Sequence, residues 1–106
     1  MQTQYVVLHR PGRAWKEGVP VLEQPGLQAH VDHFRVPAHQ ALLFAMGPFL
    51  GSTAGGMAIF KRGASREQVV QLCEADPTFR SELLVFEILE WFSPQLNGEP
   101  KATLAP

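Results

Sequence analysis

Residues 56–92 read GMAIFKRGASREQVVQLCEADPTFRSELLVFEILEWF, and this stretch decides the fold. Residues 56–61 have the length and apolar content of a strand. Ser65 is a good N-cap, and Gln68 three residues later completes a capping box, so a helix starts there and runs to about Ala75. Within it Val69, Leu72, Cys73 and Asp76 follow the i, i+3, i+4, i+7 spacing of a core-facing stripe. Pro77 comes next and ends the helix, because the residue before a proline is pushed to extended dihedrals. Residues 82–92 then read as a long last strand. The C-terminal half is therefore strand, helix, strand.

The N-terminal half repeats that order. Residues 4–10 alternate as a strand, with Tyr5, Val7 and His9 on one side and Val6 and Leu8 on the other. Residues 11–25 mix proline, glycine and charge and read as a long loop. A helix begins near Pro25, which a first turn tolerates, and ends around Val36 because Pro37 follows. On it Leu27, His30, Val31 and Phe34 form a second apolar stripe. Residues 41–46 are a continuous apolar run of strand length, ended by Gly47-Pro48, and residues 51–55 form a small-residue turn. The whole is β-α-β-β-α-β over residues 1–92, a ferredoxin-like α+β arrangement. Residues 93–106 read as a polar tail without regular structure.

An antiparallel sheet with helices on one face and water on the other alternates apolar and polar residues. These strands do not. Leu42, Phe44 and Met46 lie on one side of the second strand, with Ala41, Leu43 and Ala45 on the other. Leu84, Phe86 and Ile88 oppose Leu83, Val85, Leu89 and Trp91 in the last. Two helices cover one face, so the other calls for a second copy packed sheet to sheet, a homodimer.

A chain of 106 residues makes one domain. Its 45% apolar and 18% charged composition is globular, and a net charge of −1 supplies no field for nucleic acid or an anionic membrane surface. The N-terminus lacks the basic start and apolar run of a signal peptide, and no stretch reaches the roughly twenty apolar residues of a membrane span. The single cysteine, Cys73, precludes an internal disulfide and suits a reducing compartment. A cytoplasmic protein is expected, with Cys73 as a small core residue.

Each apolar stripe carries one titratable group, His30 on one and Asp76 on the other. Such a group must be neutral, paired or in a pocket. Asp76 is expected at the C-terminal, partially negative end of its helix, among apolar neighbours, so its pKa should rise unless a cation or donors compensate. His30 is a reasonable partner, because the two helices of this fold lie side by side. An Asp-oriented imidazole can act as general base or acid near neutral pH. A buried structural pair, or an Asp76 that caps its own turn, would satisfy the same pattern.

His30 and His33 form an H-x-x-H pair, but two ligands are too few for zinc and no nearby Cys or carboxylate cluster completes the set, so no metal is expected. His33 falls on the solvated flank of its stripe, and His39 follows Pro37 in an exposed turn. His9 either reaches the same cleft as His30 or faces the partner subunit. Gly47-Pro48-Phe49 is either a pocket-lining turn or an ordinary strand end. Gly55-Gly56 lacks the lysine and the strand-to-helix setting of a phosphate cradle. Trp15, Trp91 and Phe92 read as cleft walls, or as core or dimer contacts, and Glu87, which interrupts an apolar strand face, as a buried functional acid or, more simply, an edge or interface ion pair.

Four segments, LQAHVDHF, AMGPF, STAGGMAIF and CEADPTF, occur in an order and spacing that resembles the YCII-related (YciI-like) domain family over residues 4–92. The resemblance implies a ferredoxin-like fold assembled as a dimeric α/β barrel. It also implies an active site built from the helical histidine and the aspartate of Asp-Pro, here His30 and Asp76, with Gly47 and Pro48 lining it. One branch of the family is similar to enzymes that eliminate chloride from chlorinated hydroxylated aromatics, and related barrels isomerise lactones. The loop over residues 11–25 is longer than in compact members and is placed to reshape or lid the cleft. The expectation is a cytoplasmic homodimeric enzyme of lyase or isomerase type that moves a proton on a small cyclic or aromatic-derived metabolite without a cofactor. The alternative is a non-catalytic module of the same fold that binds such a molecule.

Overall fold

A computed structural model of the chain describes residues 3–51 and 54–93. Its regular elements are β1 (Thr3–Pro11), α1 (Leu27–Arg35), α2 (Pro37–Gln40), β2 (Leu43–Pro48), β3 (Gly56–Phe60), α3 (Arg66–Glu74), α4 (Pro77–Arg80) and β4 (Leu84–Phe92). The four strands form one sheet in the order β2-β3-β1-β4, with every neighbouring pair antiparallel. This is the ferredoxin-like arrangement expected from the element order. Apart from Ser93, residues 93–106 lie outside the described residues, so the expected tail is not placed.

Helices cover one face of the sheet. Val7, Phe34, Leu43, Ala58, Phe60, Val69, Leu72 and Cys73 form the buried core between them, with Tyr5, Phe86 and Ile88 packed at its edge. Cys73 is thus a core residue, and burial chiefly pushes its thiol up to about 12, with Asp76 and Glu74 adding to the rise. The capping box of α3 is present as expected: the Ser65 hydroxyl accepts from the Gln68 amide, and the Gln68 side chain accepts from the Ser65 amide.

The register places Val6 and Leu8 of β1 opposite Leu89 and Glu87 of β4, on the face away from the helices. Val85, Leu89 and Trp91 on that face remain 40–46% exposed. Glu87 there pairs with Arg10 at 2.5 Å, both side chains half exposed, so it is an ion pair at the surface.

Strand β2 differs from the expectation. It starts at Leu43, two residues later than the apolar run suggests, and its pairing with β3 jumps from Leu43↔Phe60 to Ala45↔Ile59. The bulge consumes one residue of alternation. Leu43 and Met46 therefore pair with Phe60 and Ala58, which belong to the helix-side core. Leu42 packs against that core as well, while Phe44 is half exposed, so the expected separation of Leu43 from Met46 and grouping of Phe44 with it fail. One consequence is functional: Met46 turns toward the site.

Both prolines that end helices also begin new ones. Val36 and Asp76 are extended, with ψ of 132° and 125°, as pre-proline residues must be, and each is the N-cap of a four-residue helix whose first residue is proline. His39 consequently lies in α2 instead of an exposed turn. It is half-buried, edges the His33 ring at 4.6 Å, and its Nδ1 lies 2.6 Å from the His33 carbonyl oxygen.

Two glycines let three strands meet tightly beside the site. Gly55 has φ of 100°, and a Cβ there would collide with the His9 carbonyl oxygen. A Cβ at Gly56 would sit 2.6 Å from the Gly47 carbonyl oxygen.

Candidate active site

His30 sits one turn into α1, and its side chain reaches across to the α3–α4 junction. Its Nδ1 lies 2.5 Å from Oδ2 of Asp76. Both residues are buried, at 7% and 2% exposure. The carboxylate is otherwise fully engaged, because Oδ1 accepts from the Thr78 backbone amide at 2.9 Å and the Thr78 hydroxyl at 2.8 Å.

Asp76 therefore departs from the expectation in one respect that matters. It is not held at the negative end of α3, whose C-cap is Ala75, but is the N-cap of α4. An N-cap carboxylate meets unpaired amides and a favourable dipole. Burial alone would push its pKa up. The His30 hydrogen bond and charge, together with both Thr78 donors, outweigh that and hold it below the usual carboxylate value. The expected rise is reversed. The cue is present in Asp-Pro-Thr, since an extended pre-proline Asp followed by proline at the first helical position is itself a helix-start signature.

His9 lies on the helix face of β1, which settles where its strand face points. Its ring meets His30 edge-on with centroids 4.9 Å apart and Phe34 at 5.9 Å. It is 4% exposed, and its Nε2 is buried without a hydrogen-bond partner among the described residues. Burial first, and then the neighbouring His30, lower its pKa to about 4, partly offset by Asp76. His9 is thus a neutral imidazole at neutral pH.

His33 does not join this group, nor is it solvated as expected. It is half-buried, and its Nε2 lies 2.8 Å from the Leu72 carbonyl oxygen, which ties α1 to α3. The H-x-x-H residues therefore diverge. Donor atoms of His9, His30 and Asp76 do lie within 4.8 Å of one another, and among the described residues this is the grouping that could hold a metal ion. The Asp76 oxygens in it already accept from three donors.

A cavity of about 320 Å³ opens in front of His30 and His9. That size suits a single small organic ligand. Gly47 and Pro48 line it as the sequence suggests, but Phe49 does not; its amide donates to the Gly55 carbonyl at 2.9 Å and closes the turn. Trp15, Trp91 and Phe92 also lie away from this wall.

The apolar wall comes from Leu27, Val31 and Phe34 of α1, Met46 and Met57 of the sheet, and Val21 and Leu22 of the long loop. Gln24 pins that loop, accepting from the Lys16 amide and donating to the Lys16 and Val19 carbonyls. Residues 21–23 form a 3₁₀ turn that the proline- and glycine-rich composition conceals. Arg35 and Gln40 line it too; Arg35, eight residues after Leu27 and one turn beyond Val31, continues the α1 stripe, whereas Gln40 carries no signal in the sequence.

The fold and site thus define a ferredoxin-like α+β domain with a hydrogen-bonded His-Asp pair at the wall of an apolar cavity. No protein-family model and no curated protein matches the sequence. A search of solved structures finds 5-chloro-2-hydroxyhydroquinone dehydrochlorinase from Burkholderia phenoliruptrix AC1100, in complex with 2,5-dihydroxybenzoquinone, with a TM-score of 0.60. The two chains are 18% identical over 83% of this chain and 93% of that one, a likeness of fold. Among the described residues no helix is long and apolar enough to cross a membrane.

Proposed function

We propose that this chain is a small-molecule enzyme of lyase or isomerase type, a homodimer of the YCII-related family, with His30 as the proton-transferring residue. The observation that carries the proposal is the 2.5 Å contact between His30 Nδ1 and Asp76 Oδ2 at the edge of a ligand-sized cavity. With Nδ1 committed to the carboxylate, Asp76 fixes the tautomer, and Nε2 is the nitrogen left to meet a ligand. A neutral imidazole nitrogen removes a proton from a ring hydroxyl or an acidic ring carbon and returns it elsewhere for an isomerisation. For an elimination, a hydroxyl proton is first moved to the chlorine-bearing ring carbon, and removal of a second hydroxyl proton then releases the electron pair that expels chloride and leaves a quinone. Both routes balance without an added oxidant or reductant. The cavity's apolar wall suits a ring, and the likeness in fold to a dehydrochlorinase that binds a hydroxylated quinone points to the same kind of ligand.

The dimer rests on the face of the sheet away from the helices, where Val85, Leu89 and Trp91 stand 40–46% exposed. Light scattering at micromolar concentration should return twice the mass of the chain, and a monomeric mass would remove this part of the reading.

The test of function is a panel of chlorinated and unchlorinated hydroxylated rings, scored for binding and for product. Wild-type protein should convert at least one of them, and His30→Ala should bind it without converting it. Binding by the wild type with no product anywhere on the panel would instead identify a non-catalytic binding module.

A further inference from the structure

The ionisable groups on the cavity wall are His9, His30 and Arg35, with no Asp or Glu among the lining residues. Asp76 stands behind His30, its oxygens spent on His30 and Thr78. This is a local departure for a chain with ten acidic and nine basic residues. His9 is neutral near pH 7, so the lining residue that carries a fixed positive charge is Arg35. Among the described residues the ion pairs are Arg10–Glu87, Arg13–Glu82 and His30–Asp76, and Arg35 is in none of them.

Arg35 is the last residue of α1, five residues beyond His30. At 1.5 Å per residue the two are separated by about 7.5 Å along the helix axis. Arg35 is exposed and lines the same cavity as His30.

We infer that the cavity takes an anionic ring, with a hydroxyl at His30 and a carboxylate or ionised oxygen across the ring at Arg35, and that Arg35 selects for this charge. The inference rests on the proposed site but adds the charge of the ligand and the residue that reads it. A planar guanidinium binds a carboxylate through two parallel N–H donors, a geometry that an ammonium does not reproduce. The competing role for Arg35 is local, a cation completing the negative C-terminal turn of α1.

The test compares 4-hydroxybenzoate with its neutral analogue 4-hydroxybenzyl alcohol, by calorimetry and by the shifts of the His30 ring resonances at pH 7. Wild-type protein should bind the anion about tenfold more tightly than the alcohol, a preference that falls as salt is raised. Arg35→Gln should bring the two affinities within about twofold, by weakening the anion alone, and Arg35→Lys should retain part of the preference. Arg35→Gln that lowers the melting temperature but keeps the preference would overturn the inference in favour of the helix-end role. Equal binding of anion and alcohol to the wild type would overturn the charge assignment while leaving the His30 site standing. No perturbation of His30 by either probe at millimolar concentration would overturn both.

Discussion

Asp76→Asn should lower turnover by about 10²- to 10⁴-fold, the usual worth of a positioned acid–base group, and should do so in a folded protein. The reason lies in Thr78. Its amide and hydroxyl both donate to Oδ1, so an asparagine must present its own oxygen there and its NH₂ group toward His30. The His30 Nδ1 then has to accept, which places the ring proton on Nε2. The nitrogen at the cavity becomes a donor and can no longer remove a proton. Asp76→Ala is expected to do something else. It leaves a buried imidazole and two Thr78 donors without their acceptor, and each buried donor left unsatisfied costs about 1–3 kcal/mol. Urea unfolding of the two variants separates these effects. A loss below about 1 kcal/mol for Asp76→Ala, the range of exposed pairs, would mean that water already serves the site. Unchanged turnover in Asp76→Asn would take the carboxylate out of the mechanism.

Acid should weaken the fold well before the carboxylates titrate. His9 has its pKa lowered from 6.5 to about 4 by burial and by His30. Above pH 6.5 it is neutral in both folded and unfolded chains and contributes no pH dependence. Between pH 6.5 and about 4 the unfolded chain binds a proton that the folded chain refuses, so stability falls as pH falls. The loss totals about 3 kcal/mol by the bottom of that window, because each pH unit crossed there removes about 1.4 kcal/mol. Asp76 extends the decline. Its folded pKa is depressed below 3.8, so its stabilising contribution is present above that value and is lost as pH drops through the folded pKa. Unfolding free energies at pH 7, 6, 5 and 4, all at one protein concentration, should show the slope, and His9→Gln should flatten its upper part. A wild-type curve level from pH 7 to 4.5, or an equal slope in His9→Gln, would show that His9 is hydrated and free to charge.

The two helical stripes are legible because burial imposes a 3.6-residue period on any helix packed on a sheet. His30 and Asp76 stand out as titratable residues on those stripes, and the side-by-side helices of the fold, with the family resemblance, make them a candidate pair. The electrostatic sign at Asp76 does not follow from the same pattern. Asp-Pro reads as a helix end, although the extended dihedral that stops α3 is also the dihedral an N-cap requires. The start and alternation of β2 are hidden too, because a bulge has no reliable mark in a run of apolar residues. His33 and His39 look like surface histidines in sequence, and their carbonyl partners lie on neighbouring turns and helices that local spacing does not show.

Sequence by itself determined the element order, the core faces of both long helices and the Ser65 capping box, and it singled out His30 and Asp76 as titratable residues on those faces. Each is a short-range regularity, set by period, cap or turn chemistry within about eight residues. Tertiary structure decided what those residues face. It turned His9 inward to a neutral state, brought Val21 and Leu22 to the cavity wall beside Arg35, and set the His30 ring against Asp76, where its hydrogen bond helps hold the carboxylate pKa low. Those outcomes depend on contacts between segments distant in the chain, where burial and neighbouring charge, not local pattern, set the chemistry.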